Sequence, residues 1–256
     1  MRVPRWLRGS TEGIRWKSAG GSDAGNVRSF NEDAFLDMPE RQLWAVADGM
    51  GGHAAGDIAS SEVVASLANI AASEKLNAAS GNVAGAILRA NDQLRHMGRE
   101  RGKGVVIGTT VVAATARANR MAFLWAGDSR AYRLRGNAFS QLTHDHDLLS
   151  DMTAKNAPEE LIAAVMQSNV VARAVGAHDK LEIDEVRVAV QHGDVYLLCS
   201  DGLYKEVSED RIQTILKETD PARSAALLID AALKSGGRDN VTVIVMHAID
   251  GNKRSI

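Results

Sequence analysis

The segment LWAVADGMGGHAAG, residues 43–56, joins an apolar run to a glycine-rich loop. The run from Leu43 to Asp48 is short, contains tryptophan and valine and ends in Asp-Gly, which predicts a buried strand followed by a sharp turn. The loop from Asp48 to Gly56 contains four glycines, more than one hairpin or helix cap requires, so we expect its backbone to approach another group closely. A nucleotide-binding loop of the two common kinds is excluded, because neither GxGxxG nor GxxxxGK[ST] spacing is present.

Other parts of the chain carry similar strand signals. Short β-branched or aromatic runs bounded by Gly, Asp or Asn occur at 109–114, 121–126, 195–199 and 241–246, and residues 181–190 alternate apolar with polar side chains. Apolar spacing of three and four residues predicts helices at 57–72, 83–97, 208–216 and 222–233, with Ser208 in a cap position. Because strands and helices come in blocks, a largely antiparallel α+β layering is favoured over a doubly wound parallel sheet.

Length and composition predict one globular domain. The chain has 256 residues, of which 45% are hydrophobic and 24% charged, as in an ordinary globular protein. We expect a single domain over 13–250 with a polar excursion at 151–169, preceded by a flexible segment at 1–12 and followed by a tail at 251–256. The formal charge of -2 gives no field that would recruit nucleic acid or an anionic membrane. No window approaches the roughly 18 apolar residues of a membrane span. Cys199 is the single cysteine, which excludes an internal disulfide and favours a reducing, cytoplasmic location.

Three apolar runs meet an aspartate at one end, and this recurrence is the main chemical signal. Asp48 closes one run, Asp201 follows another, and Asp239 stands just before a third. A glycine or asparagine follows each aspartate, so the chain can turn sharply and present oxygen atoms at a sheet edge. Carboxylates brought together there would repel one another unless a cation neutralised them, and an all-oxygen set favours Mg²⁺ or Mn²⁺ over zinc.

Each of these aspartates, taken alone, also fits ordinary turn chemistry, in which Asp-Gly or Asp-Asn simply ends a strand. The three together, with the glycine-rich loop after Asp48, favour a site that holds two divalent cations.

Eight motifs in this order resemble the metal-dependent protein phosphatases (the PPM or type 2C family), in their bacterial branch. They span most of the chain: SDAGNVRSFNED (22–33), DGMGGH (48–53), GTT (108–110), AGDSR (126–130), LTHDH (142–146), residues 169–176, SDGL (200–203) and GGRDNVT (236–242). The resemblance implies a sandwich of two β-sheets flanked by helix pairs, a four-layer α-β-β-α fold, with the metal site at one edge and a variable flap at about 148–170.

The resemblance also implies roles for individual residues. Asp48 would bridge two metals, Gly49 would lend its carbonyl, and Asp201 and Asp239 would complete the first ion. The remaining assignments are Glu32 and Asp33 as holders of metal-bound waters, Arg28 as the clamp on the substrate phosphate, and Asp128 as ligand to a third, weaker metal shared with Asp201. For Asp128, capping of the turn between two strands is an alternative.

Two Mn²⁺ or Mg²⁺ ions would lower the pKa of a bridging water towards about 7, making it available for in-line attack on a phosphomonoester. Protonation of the leaving alkoxide needs a general acid, and His53 either takes this role or is structural. Eukaryotic members have histidine directly after Asp-Gly, where this chain has Met50. A cysteine-based phosphatase mechanism is excluded, because Cys199 lies in a strand run with no CxxxxxR signature.

His144 and His146 stand two residues apart, as a metal-binding pair on a strand would, but the family has a similar Thr-x-Asp-His stretch without metal, so we do not expect ligation there.

The expected function is hydrolysis of phosphoserine and phosphothreonine in proteins, opposing a Ser/Thr kinase, by a monomer with no nucleic-acid partner. Two alternatives remain: a pseudophosphatase acting as a binding or sensor module, and a phosphomonoesterase for small molecules. Among bacterial members, those tied to control of type VI secretion are the suggested relatives.

Overall fold

The computed structural model describes residues 13–50, 55–102, 104–146, 173–218 and 220–251. The predicted N-terminal segment 1–12, loop residues 51–54 with His53, the flap and the tail after Gly251 lie outside these ranges.

Two antiparallel sheets form the centre of the fold. The strands are β1 Ile14–Asp23, β2 Asp33–Met38, β3 Leu43–Met50, β4 Gly108–Thr109, β5 Val111–Arg117, β6 Arg120–Ala126, β7 Arg130–Arg135, β8 Ala138–Gln141, β9 Asp184–Ala189, β10 Val195–Cys199 and β11 Val241–Asp250. One sheet has the order β1-β11-β10-β7-β8, and the other has β2-β3-β5-β6-β9 with β4 paired to β3.

Helices cover the outer faces of both sheets. They are α1 Gly56–Ala68, α2 Leu76–Arg101, α3 Asp201–Tyr204, α4 Glu209–Ile215 and α5 Pro221–Ser235. Ser208 precedes α4 as predicted, but its side chain makes no cap hydrogen bond. In the described ranges, no helix combines the length and the apolar character needed to cross a lipid bilayer.

Three buried apolar clusters fill the spaces between these layers. Trp44, Tyr196 and Ile244 belong to the cluster between the two sheets. A second cluster joins α1 and α2 to the sheet that contains β3, and a third joins α4 and α5 to the sheet that contains β11. The predicted α+β sandwich with helices on both sides is therefore confirmed.

Most strand and helix predictions from the sequence are confirmed, with limits that differ by up to seven residues: α2 begins at Leu76, whereas the predicted helix begins at residue 83. The sequence analysis missed β1, β2, β7 and β8. Three of these are the edge strands β1, β2 and β8, and β7 lies next to an edge. Edge strands are less completely covered, so they carry a weaker apolar signal; each residue of β2, for example, is only partly buried.

Replacing Leu198 with alanine should lower the free energy of unfolding by about 2–5 kcal/mol, because its buried side chain fills space between the sheets. Chemical denaturation would measure the change. Leu88→Ala is the matched control: Leu88 is 42% exposed on α2, so the same truncation should change stability by no more than about 0.5 kcal/mol. Equal effects of the two substitutions would contradict the assignment of Leu198 to the core.

Candidate metal centre

Aspartates from both sheets gather at one end of the sandwich. Asp33 and Asp48 stand opposite each other in the register of β2 and β3. In the other sheet, Asp201 lies two residues after the end of β10 and Asp239 lies two residues before β11, and these two strands are hydrogen-bonded neighbours. The sequence suggested that the strand ends carrying these aspartates could meet, and in the structure they lie at the same end of the sandwich.

The electrostatics of Asp48 show how close these acids are. Its side chain keeps partial exposure, but protein atoms and other acids surround the carboxylate. Burial raises the pKa of Asp48 well above its usual range, and repulsion from Asp33, Asp201, Asp128 and Asp239 raises it further. Five aspartates thus act on one another as a single cluster of negative charge.

Two oxygen atoms in this cluster lack a hydrogen-bond partner. Asp33 Oδ1 and Asp201 Oδ1 are buried and have no partner among the described residues. Burial and repulsion from Asp201 and Asp239 raise the pKa of Asp33 to about 7, although Ser200 and Thr242 donate hydrogen bonds to it. Buried oxygens without a partner are uncommon in folded proteins. A hard divalent cation satisfies both the free oxygens and the excess charge, so the residues present fit such an ion.

A short hydrogen-bond network positions the backbone of Asp48. Its carbonyl accepts hydrogen bonds of 2.8 Å from Thr109 Oγ1 and from Thr110 N, and Asp48 N donates to Thr110 Oγ1 at 3.2 Å. Thr110 Oγ1 in turn lies 2.7 Å from Ser129 Oγ. In the sequence these residues stand out only as parts of motifs; the structure shows that buried hydroxyls orient the central aspartate.

The glycines on either side of the loop allow a close approach of Glu32. A Cβ on Gly49 would lie 2.5 Å from the carbonyl oxygen of Glu32, and one on Gly56 would lie 2.7 Å from its carboxylate. Gly49 N also donates to the Glu32 carbonyl at 3.2 Å. The predicted close backbone approach is therefore confirmed for these two glycines, and it brings Glu32 beside the aspartate cluster.

Asn240 connects the site to the loop that carries Arg28 and Glu32. Its Oδ1 accepts a 2.8 Å hydrogen bond from Glu32 N, and its Nδ2 donates to Ala24 O and Phe30 O at 2.9 Å each. The sequence analysis treated Asn240 only as a residue that permits a turn. Since each side-chain amide can both donate and accept, Asn240 satisfies three backbone groups of that loop at once.

Two basic side chains lie at the acidic cluster. Arg28 Nη2 is 2.8 Å from Asp239 Oδ2, with about half of the arginine side chain exposed. Lys205 Nζ is 2.5 Å from Asp201 Oδ2. Burial lowers the pKa of Lys205, but attraction to Asp201 outweighs it, so the net pKa is raised. Lys205 was not among the residues predicted from the sequence; its spacing of four residues from Asp201, within a helical turn, was the available signal.

Asp128 stands beside Asp201, as a shared third metal would require. Burial and repulsion from Asp201 raise the pKa of Asp128 to about 6. The hydroxyl of Tyr204 donates to the Asp128 carbonyl at 3.1 Å, which ties the turn after β6 to α3.

His144, His146 and Asp184 form a separate cluster whose possible ligand atoms lie within 4.8 Å of one another. Gly127 N donates to His146 Nδ1 at 3.3 Å, which places the proton of the neutral ring on Nε2, the atom facing Asp184 at 3.2 Å. Arg173 adds a 3.1 Å ion pair to Asp184. Asp184 therefore serves as acceptor for several donors, and the absence of metal binding by these histidines stays a prediction.

All predicted site residues except one are within the described ranges, and they converge on the aspartate cluster around Asp48. These residues are Arg28, Glu32, Asp33, Asp48, Gly49, Asp128, Asp201 and Asp239. His53 lies outside the described residues.

A divalent cation should stabilise the fold more at about pH 7.5 than at about pH 5. The folded-state pKa values of Asp33 (about 7) and Asp128 (about 6) exceed the ordinary value of 3.8. Their contribution to the stability of the metal-free protein is thus fully present below about pH 4 and lost as pH rises through these values. At high pH these carboxylates are ionised, and bound Mn²⁺ would compensate their negative charge. At low pH protons occupy the carboxylates and compete with Mn²⁺ for them. Thermal unfolding with and without Mn²⁺ would measure the difference.

Potassium chloride at matched ionic strength is the control for this experiment and should not reproduce the shift. Equal stabilisation by Mn²⁺ at both pH values would contradict the assignment of the cation to these carboxylates.

A family model and individual relatives of this chain point to the same protein family. The family model for protein phosphatase 2C matches residues 21–231. The serine/threonine protein phosphatase PstP of Mycobacterium tuberculosis is 36% identical over 231 residues, which cover 90% of this chain and 44% of that protein. This chain therefore spans less than half the length of that curated relative.

Solved structures share the fold. The structure described as PppA, a key regulatory component of T6SS in Pseudomonas aeruginosa, aligns with a TM-score of 0.85 at 40% identity, covering 93% of this chain and 100% of that one. The catalytic domain of PstP in complex with two manganese ions aligns with a TM-score of 0.78 at 34% identity, with the same coverage. With its two-sheet fold, its cluster of aspartates and a family match over most of its length, this chain belongs to the protein phosphatase 2C family.

Proposed function

We propose that this protein hydrolyses phosphoserine and phosphothreonine in other proteins and depends on divalent cations bound by its aspartate cluster. The observation that carries the proposal is the pair of buried oxygens, Asp33 Oδ1 and Asp201 Oδ1, which have no hydrogen-bond partner in the described part of the chain and lie within five mutually repelling aspartates. The relatives that are named serine/threonine phosphatases support the substrate class.

Two ions, Mn²⁺ or Mg²⁺, are proposed, held by Asp48, the Gly49 carbonyl, Asp201 and Asp239, with Glu32 and Asp33 acting through water. When bound, such ions supply a water of lowered pKa and positive charge for the phosphoryl oxygens. A third ion at Asp128 and Asp201 is proposed from the proximity of these two carboxylates.

The chain's own residues position the substrate. Arg28 lies beside the cluster with its guanidinium half exposed, and its planar donors suit two phosphate oxygens. In the structure Asp239 accepts from it, so a phosphate would compete with this carboxylate for the guanidinium. Lys205 offsets part of the negative charge next to Asp201. His53 is proposed as the general acid for the leaving alkoxide, on the strength of the sequence motif alone.

A pseudophosphatase is disfavoured, because every proposed ligand is present and the described ones converge. A phosphomonoesterase for small molecules remains the second candidate, since it would use the same cluster. We further propose a monomer in the cytoplasm, opposing a Ser/Thr kinase, without a nucleic-acid partner. The likeness to PppA supports a link to type VI secretion.

Removing metal with EDTA should abolish release of phosphate from a phosphothreonine peptide, and Mn²⁺ should restore it, with Ca²⁺ a poor substitute because of its looser coordination. Sugar phosphates and nucleotides, assayed in parallel, should be turned over more slowly than the peptide. Turnover of the small phosphoesters without turnover of any peptide would reject the protein phosphatase, and restoration by Zn²⁺ alone would reject the oxygen-ligand metal site.

Asp239→Asn should reduce turnover of a phosphothreonine peptide by about 100-fold or more while leaving the fold intact, because it removes a ligand charge from a half-exposed position. Phosphate release would be measured alongside the thermal midpoint. The control is Asp230→Asn on α5, where Asp230 pairs with Lys234 at 2.7 Å on the surface and turnover should not change. Wild-type turnover by Asp239→Asn would refute the metal assignment.

A further inference from the structure

Exposed apolar side chains flank Arg28. In the described part of the chain, the large hydrophobic residues that are exposed include Val27 (66%) and Phe30 (79%); the others are Leu88, Val105 and Val106. Val27 is adjacent to Arg28 and Phe30 is two positions away, so their Cα atoms lie within about 3.8 and 7.6 Å of that of Arg28. Single exposed apolar residues are common on protein surfaces, but two beside one proposed substrate-binding arginine indicate a contact surface.

The loop that displays these side chains is firmly held. Asn26 N donates to Gly237 O at 2.7 Å, and Asn26 Nδ2 donates to Leu233 O at 2.8 Å and to Gly236 O at 3.0 Å. Gly25 adopts φ +80°, and a Cβ there would lie 2.3 Å from Asp239 O.

Asn240 holds the other end of the loop by accepting from Glu32 N and donating to Phe30 O. The backbone of Phe30 is therefore fixed while its side chain projects into solvent. A side chain presented in this way loses little conformational freedom of the backbone when a ligand covers it, which favours binding.

We propose that Val27 and Phe30 form an apolar rim that contacts an apolar side chain next to the phosphorylated residue of the substrate. The inference rests on the proposed function, and it deepens that function by naming two specificity-determining residues. The occupant is a phosphopeptide, because the rim is continuous with Arg28 and with the aspartate cluster, where the phosphate would lie.

The chemistry around the rim favours an apolar neighbour over a charged one. Glu32 and Asp239 already place negative charge beside Arg28, so an acidic neighbour in the substrate would meet repulsion. An apolar neighbour would instead remove the exposed surface of Phe30 from water and would leave no charge to desolvate.

The test uses phosphothreonine peptides that carry leucine or serine at one position at a time on either side of phosphothreonine. With Mn²⁺ present, wild-type protein should show kcat/KM about tenfold higher for the best leucine peptide than for its serine counterpart, a ratio typical of one apolar contact. In Phe30→Ser the ratio should fall towards one, with Val27→Ser giving a smaller fall. Leu88→Ser is the control on α2, where the ratio should stay at the wild-type value.

A single blocked phosphothreonine, which has no neighbouring side chains, separates the possible outcomes. If wild-type protein turns over this compound and the peptides but shows no leucine preference, or if Phe30→Ser keeps the preference, the rim is rejected and the phosphatase proposal stands. If Phe30→Ser lowers turnover of the blocked compound by the same factor as the peptides, the residue acts through the position of Arg28 and the rim is likewise rejected. If nothing is turned over, the proposed function itself fails.

Discussion

The mutual repulsion of carboxylates at one end of the sandwich is the constraint on which the rest of the site depends. Burial already disfavours the charged form of Asp48, and the surrounding aspartates add to that cost. Such a cluster persists in a folded protein only if protons or cations compensate it. Two cationic side chains, Arg28 and Lys205, compensate part of the negative charge. Asp33 Oδ1 and Asp201 Oδ1, which have no hydrogen-bond partner among the described residues, mark the part of the negative charge that stays uncompensated.

Rigid packing around the cluster holds the repelling carboxylates in place. Trp44 and its neighbours close the space between the two sheets, so the ends of β3 and β11 cannot separate without opening the core. Close contacts reinforce this near the site: a Cβ on Gly202 would lie 2.0 Å from the carbonyl oxygen of Asn240, so α3 packs directly on the segment before β11. The negative charges are thus held together by apolar packing and backbone contact rather than by attraction among themselves.

Asn240 links this acidic centre to the loop proposed to bind the substrate. It lies next to Asp239, yet its side chain satisfies backbone groups in the loop that carries Arg28 and Phe30. The loop therefore keeps a defined position relative to the aspartates. Both the proposed phosphate clamp and the apolar rim depend on that connection, because a mobile loop would lose their spacing from the cluster.

The sequence by itself determined the layered α+β class, most of the inner strands and the aspartates of the cluster, because most inner strands are apolar along their length and the site motifs are local in the chain. It did not reveal the inner strand β7 or the edge strands β1, β2 and β8, whose partial exposure weakens the apolar pattern. Only the tertiary structure decided which strand ends meet, that Asn240 holds the loop, and that Asp184 accepts from His146 and Arg173. These contacts join residues that are mostly far apart in the chain, and their distances follow from sheet order and packing, which no local pattern of residues encodes.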